Sequence, residues 1–250
     1  MAAKLATRAI VLRTVAYRES DRVVTLLGVT TGRISALARG ARKSVRRFSG
    51  GLGMGGEGQA ALRERPGAEL LELEEFEVEH SRLGLAGDLG KTAHAAYALE
   101  ICDRLCPPRQ PEVAVFDWLS EFLARLEAGR ARAERLRVFE IGLLDRLGYR
   151  PALDRCAICG RADLGERDTR WHPDKGGVVC CAPRGEVLTG ETRHTLETLA
   201  QLSLGDVEEK ALSREVNAAC RRAILGLVRS HIAGPLHSLE FMEKMGSDTG

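Results

Sequence analysis

The sequence has no long hydrophobic run near its start. Lys4 and Arg8 precede the apolar stretch Ala9–Leu12, and Arg13 interrupts that stretch after four residues. A signal-peptide core or a membrane span needs a much longer apolar segment. We therefore expect a cytoplasmic protein.

Signatures of catalysis are also missing. The chain contains no GxxxxGK[ST] phosphate-binding loop, and no His-Glu constellation lies near its cysteines. The glycine-rich segment Gly50–Gly58 is not placed between a strand and a helix as a nucleotide-binding fingerprint requires, and it predicts an irregular, mobile connection. We therefore expect a protein that is not an enzyme.

Aromatic residues are scarce, at 4% of the sequence, and the first eighty residues contain only Tyr17, Phe48 and Phe76. This scarcity excludes a nucleic-acid-binding surface built from several stacking platforms, so phosphate charge would have to dominate binding. We expect Tyr17 and Phe76 in a core. Phe48 lies between Arg47 and a pair of glycines, and we expect it to be exposed.

Cysteine occurs seven times, an odd number that does not suit a disulfide framework. Cys102 and Cys106 share a helical face with Ala95 and Leu99, and Cys220 lies within another helical pattern. We expect these three cysteines to be core thiols, because a buried free cysteine behaves as a small hydrophobe. The others form two close pairs, which suggests a metal site.

Positive charge is concentrated in one stretch, Gly32–Ser49. Residues 1–50 carry a net charge of +9 and the remaining residues carry −7. Such a stretch favours binding of a polyanion, although a solvated loop without a partner is the alternative. The predicted nucleic-acid-binding residues are Arg33, Arg39, Arg42, Lys43, Arg46 and Arg47.

Alternating apolar and polar residues predict strands in the first eighty residues, and a helical period follows from Asp88. Five strands over so short a length suggest a closed barrel of the oligonucleotide-binding (OB) type in an α+β fold. The predicted strands are Thr7–Ala16, Asp21–Val29, Arg33–Ala38, Gln59–Arg65 and Glu69–Glu79. The predicted helices are a first one from Asp88 to the Pro107-Pro108 stop, then Pro111–Leu126, Ala131–Leu147, Glu191–Leu202 and Ser213–Ile232.

The strongest chemical motif is Cys156-Ala-Ile-Cys159-Gly160, followed by Gly176-Gly177-Val-Val-Cys180-Cys181. A Cys-x-x-Cys turn and a cysteine pair on a second hairpin can give four soft ligands, which suits a structural Zn²⁺. The second pair is adjacent, so its side chains converge only if the backbone turns sharply. His172 is the alternative fourth ligand, and four ordinary buried thiols are the alternative to a metal site.

Four motifs point to one family: Ser20–Leu27, Ala38–Lys43, Leu144-x-x-Leu147-Gly148-Tyr149-x-Pro151, and the cysteines with Gly160 and Gly176-Gly177. Together they resemble the bacterial RecO proteins of recombinational DNA repair. The resemblance implies an OB barrel at 1–80, a helical domain at 81–150 that resumes at 186–250 with a flexible tail, and a zinc-binding insertion at 151–185. The chain departs from the family's usual second Cys-x-x-Cys motif at Pro183, which stands where the last cysteine is expected.

The resemblance also implies function. It implies that this protein binds and anneals single strands and assists loading of RecA on DNA coated by single-strand-binding protein, with RecR as partner. Because phosphate charge would dominate, binding should extend to double-stranded DNA. A protein that binds DNA in this way should be nucleoid-associated. A zinc-containing transcription regulator is the alternative, but the sequence offers no recognition helix, and a regulator would discriminate between DNA sequences.

A cluster of arginines at the start of the third predicted helix is the candidate partner site. Arg132 and Arg135 lie there close to apolar Leu136, Val138 and Phe139. Mixed basic and apolar surface suits an acidic peptide with a hydrophobic end, which single-strand-binding protein carries. The alternative is a solvated helix face.

Overall fold

The computed structural model describes residues 3–44, 46–65, 67–162, 164, 169–207 and 212–244. The predicted flexible tail, Ser247–Gly250, lies outside these residues. Two compact units emerge, one made of Met1–Arg130 with Leu236–Met245 and the other containing Ala131–Pro235. The finer domain boundaries stated above remain predictions.

A closed barrel forms the start of the first unit. Its strands are β1 (Lys4–Tyr17), β2 (Asp21–Gly28), β3 (Gly32–Ala38), β4 (Glu57–Arg63) and β5 (Leu71–His80). They follow the order β1-β2-β3-β5-β4, and only β3 and β5 pair in parallel. The long β1 pairs with both β2 and β4, and a register shift between Val11 and Arg13 lets it bend from one partner to the other. The predicted α+β fold with an OB-like barrel is confirmed.

The barrel core is set by alternation along its strands. In β3, Ile34, Ala36 and Ala38 are buried, and the residues between them are partly exposed. This is the period of two that half-buried strands require, and it confirms the strand predicted from the sequence.

Two predictions about aromatic residues are wrong, those for Phe48 and Tyr17. Phe76 is fully buried as expected, but Phe48 is only 3% exposed and packs in the barrel core, whereas Tyr17 is 43% exposed. Phe48 is buried because its segment folds back over the barrel, where the Arg47 carbonyl accepts a hydrogen bond from the Phe76 N–H at 2.9 Å. Tyr17 ends β1 at the hairpin tip and lies outside the core cluster.

The glycine-rich segment is more regular than predicted. Its residues are tied to β1, since Val11 N–H donates to the Gly56 carbonyl at 2.8 Å and Gly55 N–H donates to the Val11 carbonyl at 3.0 Å. β4 already begins at Glu57 and includes Gly58. A Cβ on Gly58 would lie 2.0 Å from the Glu77 carbonyl oxygen, so glycine is needed here for close approach of two strands.

The described residues contain six α-helices. None of them combines the length and the apolar character that crossing a bilayer requires. They are α1 (Leu89–Leu105), α2 (Val113–Ala128), α3 (Ala133–Arg146), α4 (Gly190–Leu199), α5 (Arg214–His231) and α6 (His237–Lys244).

α1 confirms the first predicted helix. Asp88 caps it by accepting a hydrogen bond from Lys91 N–H at 2.9 Å, and Pro107 follows its end as a residue that cannot continue a helix. Cys102 and Cys106 are buried, as expected for core thiols. Burial raises the pKa of Cys102 well above its ordinary value, so this thiol is inert.

α6 was not predicted, because Gly234-Pro235 suggested the end of helical structure. It returns to the first unit and its start is held by α1. The Glu100 carboxylate accepts hydrogen bonds from His237 N–H at 2.9 Å and Ser238 N–H at 2.8 Å. Burial alone would raise the pKa of Glu100, but these donors and the Ser238 hydroxyl lower it below its ordinary value.

A buried carboxylate, Glu57, joins the barrel to α2. Its side chain is fully buried and accepts hydrogen bonds from Arg8, from Arg82 at 3.3 Å and from the Ser120 hydroxyl at 2.6 Å. Arg82 also pairs with Glu127 at 3.3 Å. A charge in such a site is tolerated only because several donors replace its water.

Removing this carboxylate is expected to destabilise the first unit. Glu57→Ala removes the fully buried one of the two carboxylates that pair with the buried Arg82 guanidinium, and breaking a buried pair costs about 3–5 kcal/mol of unfolding free energy. Urea unfolding measures the loss. Glu79→Ala is the matched control, because Glu79 pairs with Arg8 at 3.6 Å on the surface and should cost about 0–1 kcal/mol. Equal losses would show that the Glu57 network is not a stabilising feature.

The second unit combines α3, α4 and α5 with a small sheet. Its strands β6 (Thr169–His172), β7 (Gly177–Val179) and β8 (Glu186–Leu188) pair antiparallel in the order β7-β6-β8. Trp171 anchors the sheet, since its indole N–H donates to the Ala223 carbonyl of α5 at 3.0 Å. The helices confirm those predicted from the sequence, whereas β8 was not predicted.

Candidate nucleic-acid interface and metal site

The basic loop, defined here as residues 39–44 with 46 and 47, leaves the end of β3. Gly40 has φ of 64°, a left-handed conformation that favours glycine. The N–H groups of Lys43 and Ser44 both donate to the Gly40 carbonyl at 3.0 Å. The loop is therefore a defined turn, and not only a run of charges.

Two anchors hold the basic loop against the barrel. Gly40 N–H donates to the Asp21 carboxylate at 2.8 Å, at the start of β2. Arg47 donates to the Arg39 carbonyl at 2.7 Å, and its guanidinium lies 5.3 Å from the centre of the buried Phe48 ring. The Phe48 ring, which is buried in the barrel core, therefore anchors the end of the basic loop.

The loop cations face solvent. Arg39, Arg42, Lys43, Arg46 and Arg47 are all exposed. Arg39 pairs with Glu72 at 3.6 Å, but surface ion pairs of this kind are weak and a phosphate could replace the carboxylate. Five cations on one short loop form a surface suited to the backbone of a nucleic acid.

Arg33 differs from the other predicted contact residues. It is partly buried on β3, where its guanidinium donates to the Cys106 carbonyl at 2.8 Å and pairs with Asp103 at 3.2 Å. Both partners belong to the α1 region of the same unit. The structure thus gives Arg33 a role in joining β3 to α1, and we do not include it in the basic loop.

Four thiols converge in the second unit. Cys156 and Cys181 lie with their Sγ atoms 3.9 Å apart, and those of Cys159 and Cys180 lie 3.6 Å apart. All four Sγ atoms are within 4.8 Å of one another. Tetrahedral ligation at ~2.3 Å per Zn–S bond places sulfurs about 3.8 Å apart, so these four residues fit one metal ion.

Backbone geometry brings the two cysteine pairs together. Gly160, with φ of 74°, turns the chain after Cys159, and its N–H donates to the Cys156 carbonyl at 2.9 Å. Ala157 N–H donates to the Val178 carbonyl at 2.8 Å, which attaches this turn to β7. The backbone bends at Cys180 and Cys181 themselves, so adjacent residues direct both sulfurs to one point.

His172 is not in the cluster. Its ring nitrogen Nε2 contacts the Arg184 carbonyl oxygen. Cys181 occupies the position for which His172 was the alternative, and the donor set is four sulfurs.

The electrostatics of the thiols favour a cation. Burial opposes ionisation of Cys156, but hydrogen bonds from backbone N–H groups, led by those of Cys159 and Cys180, lower its pKa to about 5. Hydrogen bonding to Cys159 raises the pKa of Cys180 to about 11, and burial, followed by hydrogen bonding to Cys156 and the charge of Cys156, raises the pKa of Cys181. One thiolate thus suppresses ionisation of its neighbours, and a bound divalent cation would remove this repulsion.

The predicted partner residues lie at the start of α3. Arg132 precedes the helix as its N-cap, and both Arg132 and Arg135 are partly buried. The apolar side chains expected beside them, Leu136, Val138 and Phe139, are buried in the second unit. The expectation of a mixed basic and apolar surface is therefore wrong, because the apolar members of the pattern form core.

Sequence comparisons find family matches in both parts of the chain. The family model described as "Recombination protein O N terminal" matches residues 1–82, and "Recombination protein O C terminal" matches residues 86–240. The chain is 39% identical to DNA repair protein RecO of Anaeromyxobacter dehalogenans (strain 2CP-C), over 95% of each chain.

Two further relatives show the same full-length match. DNA repair protein RecO of Geobacter sulfurreducens is 35% identical, over 95% of this chain and 96% of its own length. That of Myxococcus xanthus is 34% identical, over 96% of this chain and 97% of its own length. The similarity therefore spans the barrel, the helices and the cysteine cluster.

Proposed function

The chain belongs to the RecO family of DNA repair and recombination proteins, and we propose that it binds single- and double-stranded DNA and anneals complementary single strands. The basic loop carries this proposal. Its cations Arg39, Arg42, Lys43, Arg46 and Arg47 lie exposed on an OB-like barrel. Contacts to phosphate carry no sequence information, so the protein would hold two unrelated or complementary strands equally well.

Strand annealing follows from this kind of binding. Two single strands repel each other through their phosphates, and a protein that neutralises phosphates lowers the barrier to their approach. Because the loop contacts the backbone, the base edges remain free to pair. No chemical step is needed, and we propose that the protein is not an enzyme.

We propose that the cysteine cluster holds one structural Zn²⁺. Cys156, Cys159, Cys180 and Cys181 would supply four thiolates and complete a tetrahedral site, which leaves no position for a substrate. Bound zinc would add folding free energy to the small sheet, whose strand β7 ends immediately before Cys180. The sulfur separations and the four-sulfur donor set support zinc over harder cations.

We also propose that the protein helps to load RecA on DNA coated by single-strand-binding protein, with RecR as partner. Family membership supports these partners. The contact with the acidic tail of single-strand-binding protein would rest on charge at Arg132 and Arg135, since the neighbouring apolar residues are buried. Such a contact would be modest and salt-sensitive.

A strand-annealing assay tests the main proposal. Complementary labelled single strands are mixed with the protein without nucleotide triphosphate, and duplex formation is followed by fluorescence quenching. We expect faster annealing in the presence of the protein, for several unrelated sequences alike, with the acceleration falling as salt rises. Tight binding without acceleration would contradict annealing while leaving DNA binding intact, and an acceleration confined to one sequence would indicate a regulator instead.

A further inference from the structure

The tip of the hairpin between β1 and β2 presents an aromatic ring to solvent. Tyr17 ends β1 opposite Asp21, and its side chain is 43% exposed. Arg13 and Val15 precede it at intervals of two and are also exposed, so the three side chains share the outer face of the strand. The other two aromatic side chains of the first eighty residues, Phe48 and Phe76, are buried in the barrel core.

The Arg18 side chain lies against the Tyr17 ring. Its guanidinium carbon lies 5.2 Å from the centre of the Tyr17 ring, which is the geometry of a cation–π contact. Arg18 has φ of 54°, a conformation that residues other than glycine, asparagine and aspartate seldom adopt. The turn thus positions a cation against one face of the ring, and the remaining exposed surface of Tyr17 can receive another flat group.

The hairpin tip is joined to the basic loop. Arg42 N–H donates to the Ser20 carbonyl at 3.1 Å, and its guanidinium donates to the Glu19 carbonyl at 3.2 Å. The Asp21 carboxylate holds Gly40 from the same turn. Tyr17 and the loop cations therefore belong to one continuous surface, in which a planar ring lies beside several phosphate-binding groups.

We propose that Tyr17 is a base-stacking platform that selects unpaired nucleotides, with Arg18 as its positioning residue. A base can stack on the ring only if it is not already stacked inside a duplex, so this contact adds affinity for single strands to the charge-driven affinity for any DNA. Stacking uses the face of the base and leaves its pairing edge free. The proposal rests on the proposed DNA binding and adds to it a residue that distinguishes single from double strands.

Three DNA probes separate stacking from charge. They are an oligothymidylate, an abasic strand of the same length that keeps the phosphates but has no bases, and a duplex, all titrated by fluorescence anisotropy. Tyr17→Ala should weaken oligothymidylate binding by roughly 5- to 150-fold, the range for loss of one base stack. It should leave abasic and duplex binding unchanged. Tyr17→Phe should behave as the parent because the ring is retained.

Matched controls keep the outcomes distinct. Tyr149→Ala removes another exposed tyrosine, one that stacks on His231 in the second unit, and should leave all three affinities unchanged. Equal weakening on all three probes by Tyr17→Ala would show that the ring supports the loop and would overturn the stacking proposal.

Failure of the stacking proposal is distinguishable from failure of DNA binding. If Tyr17→Ala changes nothing while neutralising the basic loop abolishes binding, stacking is overturned and charge-driven binding stands. If neutralising the loop leaves all three affinities unchanged, the proposed DNA interface fails. Thermal melting of each variant checks that the exposed substitution has not altered the fold.

Discussion

Neutralising the basic loop is expected to remove most of the affinity for DNA. In the variant, Arg39, Arg42, Lys43, Arg46 and Arg47 are all changed to Gln. Each lost phosphate contact flattens the plot of log affinity against log salt by about 0.7 to 0.9. Five contacts would flatten it by about 3.5 to 4.5. Between 50 and 200 mM salt, the affinity of the parent should therefore fall about 100- to 500-fold more than that of the variant.

The measurement is a salt series of anisotropy titrations with several unrelated DNA sequences. We expect the same loss for all of them, because the loop contacts phosphates and not base edges. A control variant removes the same net charge from exposed arginines elsewhere, and it should keep most of the slope. These control residues are Arg109, Arg125, Arg150, Arg155 and Arg222. An unchanged slope in the loop variant, or equal slopes in the two variants, would place the DNA interface outside the basic loop.

Removing two of the clustered thiols is expected to abolish metal binding and to unfold the small sheet of the second unit. Cys156→Ser with Cys159→Ser takes away half of the donor set. Structural zinc contributes about 10–16 kcal/mol to the folding of small zinc domains, which is as large as the whole stability of a typical domain. Mass spectrometry under native conditions should show loss of one zinc per chain, and the melting temperature of the second unit should fall sharply.

Two control variants refine this test. Cys220→Ala removes a buried thiol of α5 outside the cluster, and His172→Ala removes the alternative ligand. Both should retain one zinc per chain. DNA binding by the double serine variant should persist, because the basic loop belongs to the first unit. A double serine variant that kept its zinc would contradict the cysteine site, and loss of zinc from His172→Ala would restore histidine as a ligand.

Strands and most helices could be predicted because their signals are local. The alternation Ile34, Ala36 and Ala38 alone determines which face of β3 is buried. The cysteine site was predictable for the same reason, since the Cys-x-x-Cys turn is a local device and Gly160 follows it. Whether adjacent Cys180 and Cys181 could both contribute was decided by a bend in the backbone, which the sequence does not encode in an obvious residue.

Errors arose where tertiary packing decides. Phe48 follows a run of cations, and its neighbours suggested exposure, but the chain folds back and places its ring in the barrel. Tyr17 carried a usable signal, because it lies at an even spacing from the exposed Arg13 along β1. Burial of Glu57 could not be predicted, since its partners Arg82 and Ser120 come from distant parts of the chain.

The arginines at α3 show the limit of composition. Arg137 lies among four arginines near the helix start, a pattern typical of a solvated face, yet it is buried and pairs with Glu140 at 3.1 Å. The pairing of residues three apart on one helix is a local signal that could have been noticed. The burial of Arg137 depends on packing within the second unit and could not be predicted from the sequence.

The capping of α6 by Glu100 has a consequence for how the protein is made. Glu100 and Ser238 are separated by 138 positions, and the residues between them include all of Ala131–Pro235. During translation, the barrel and α1 leave the ribosome long before α6 does. The Glu100 carboxylate therefore lacks its backbone donors while the second unit is synthesised and folds as an insertion. The first unit, which contains the basic loop, is therefore completed last, although its first strand is made first.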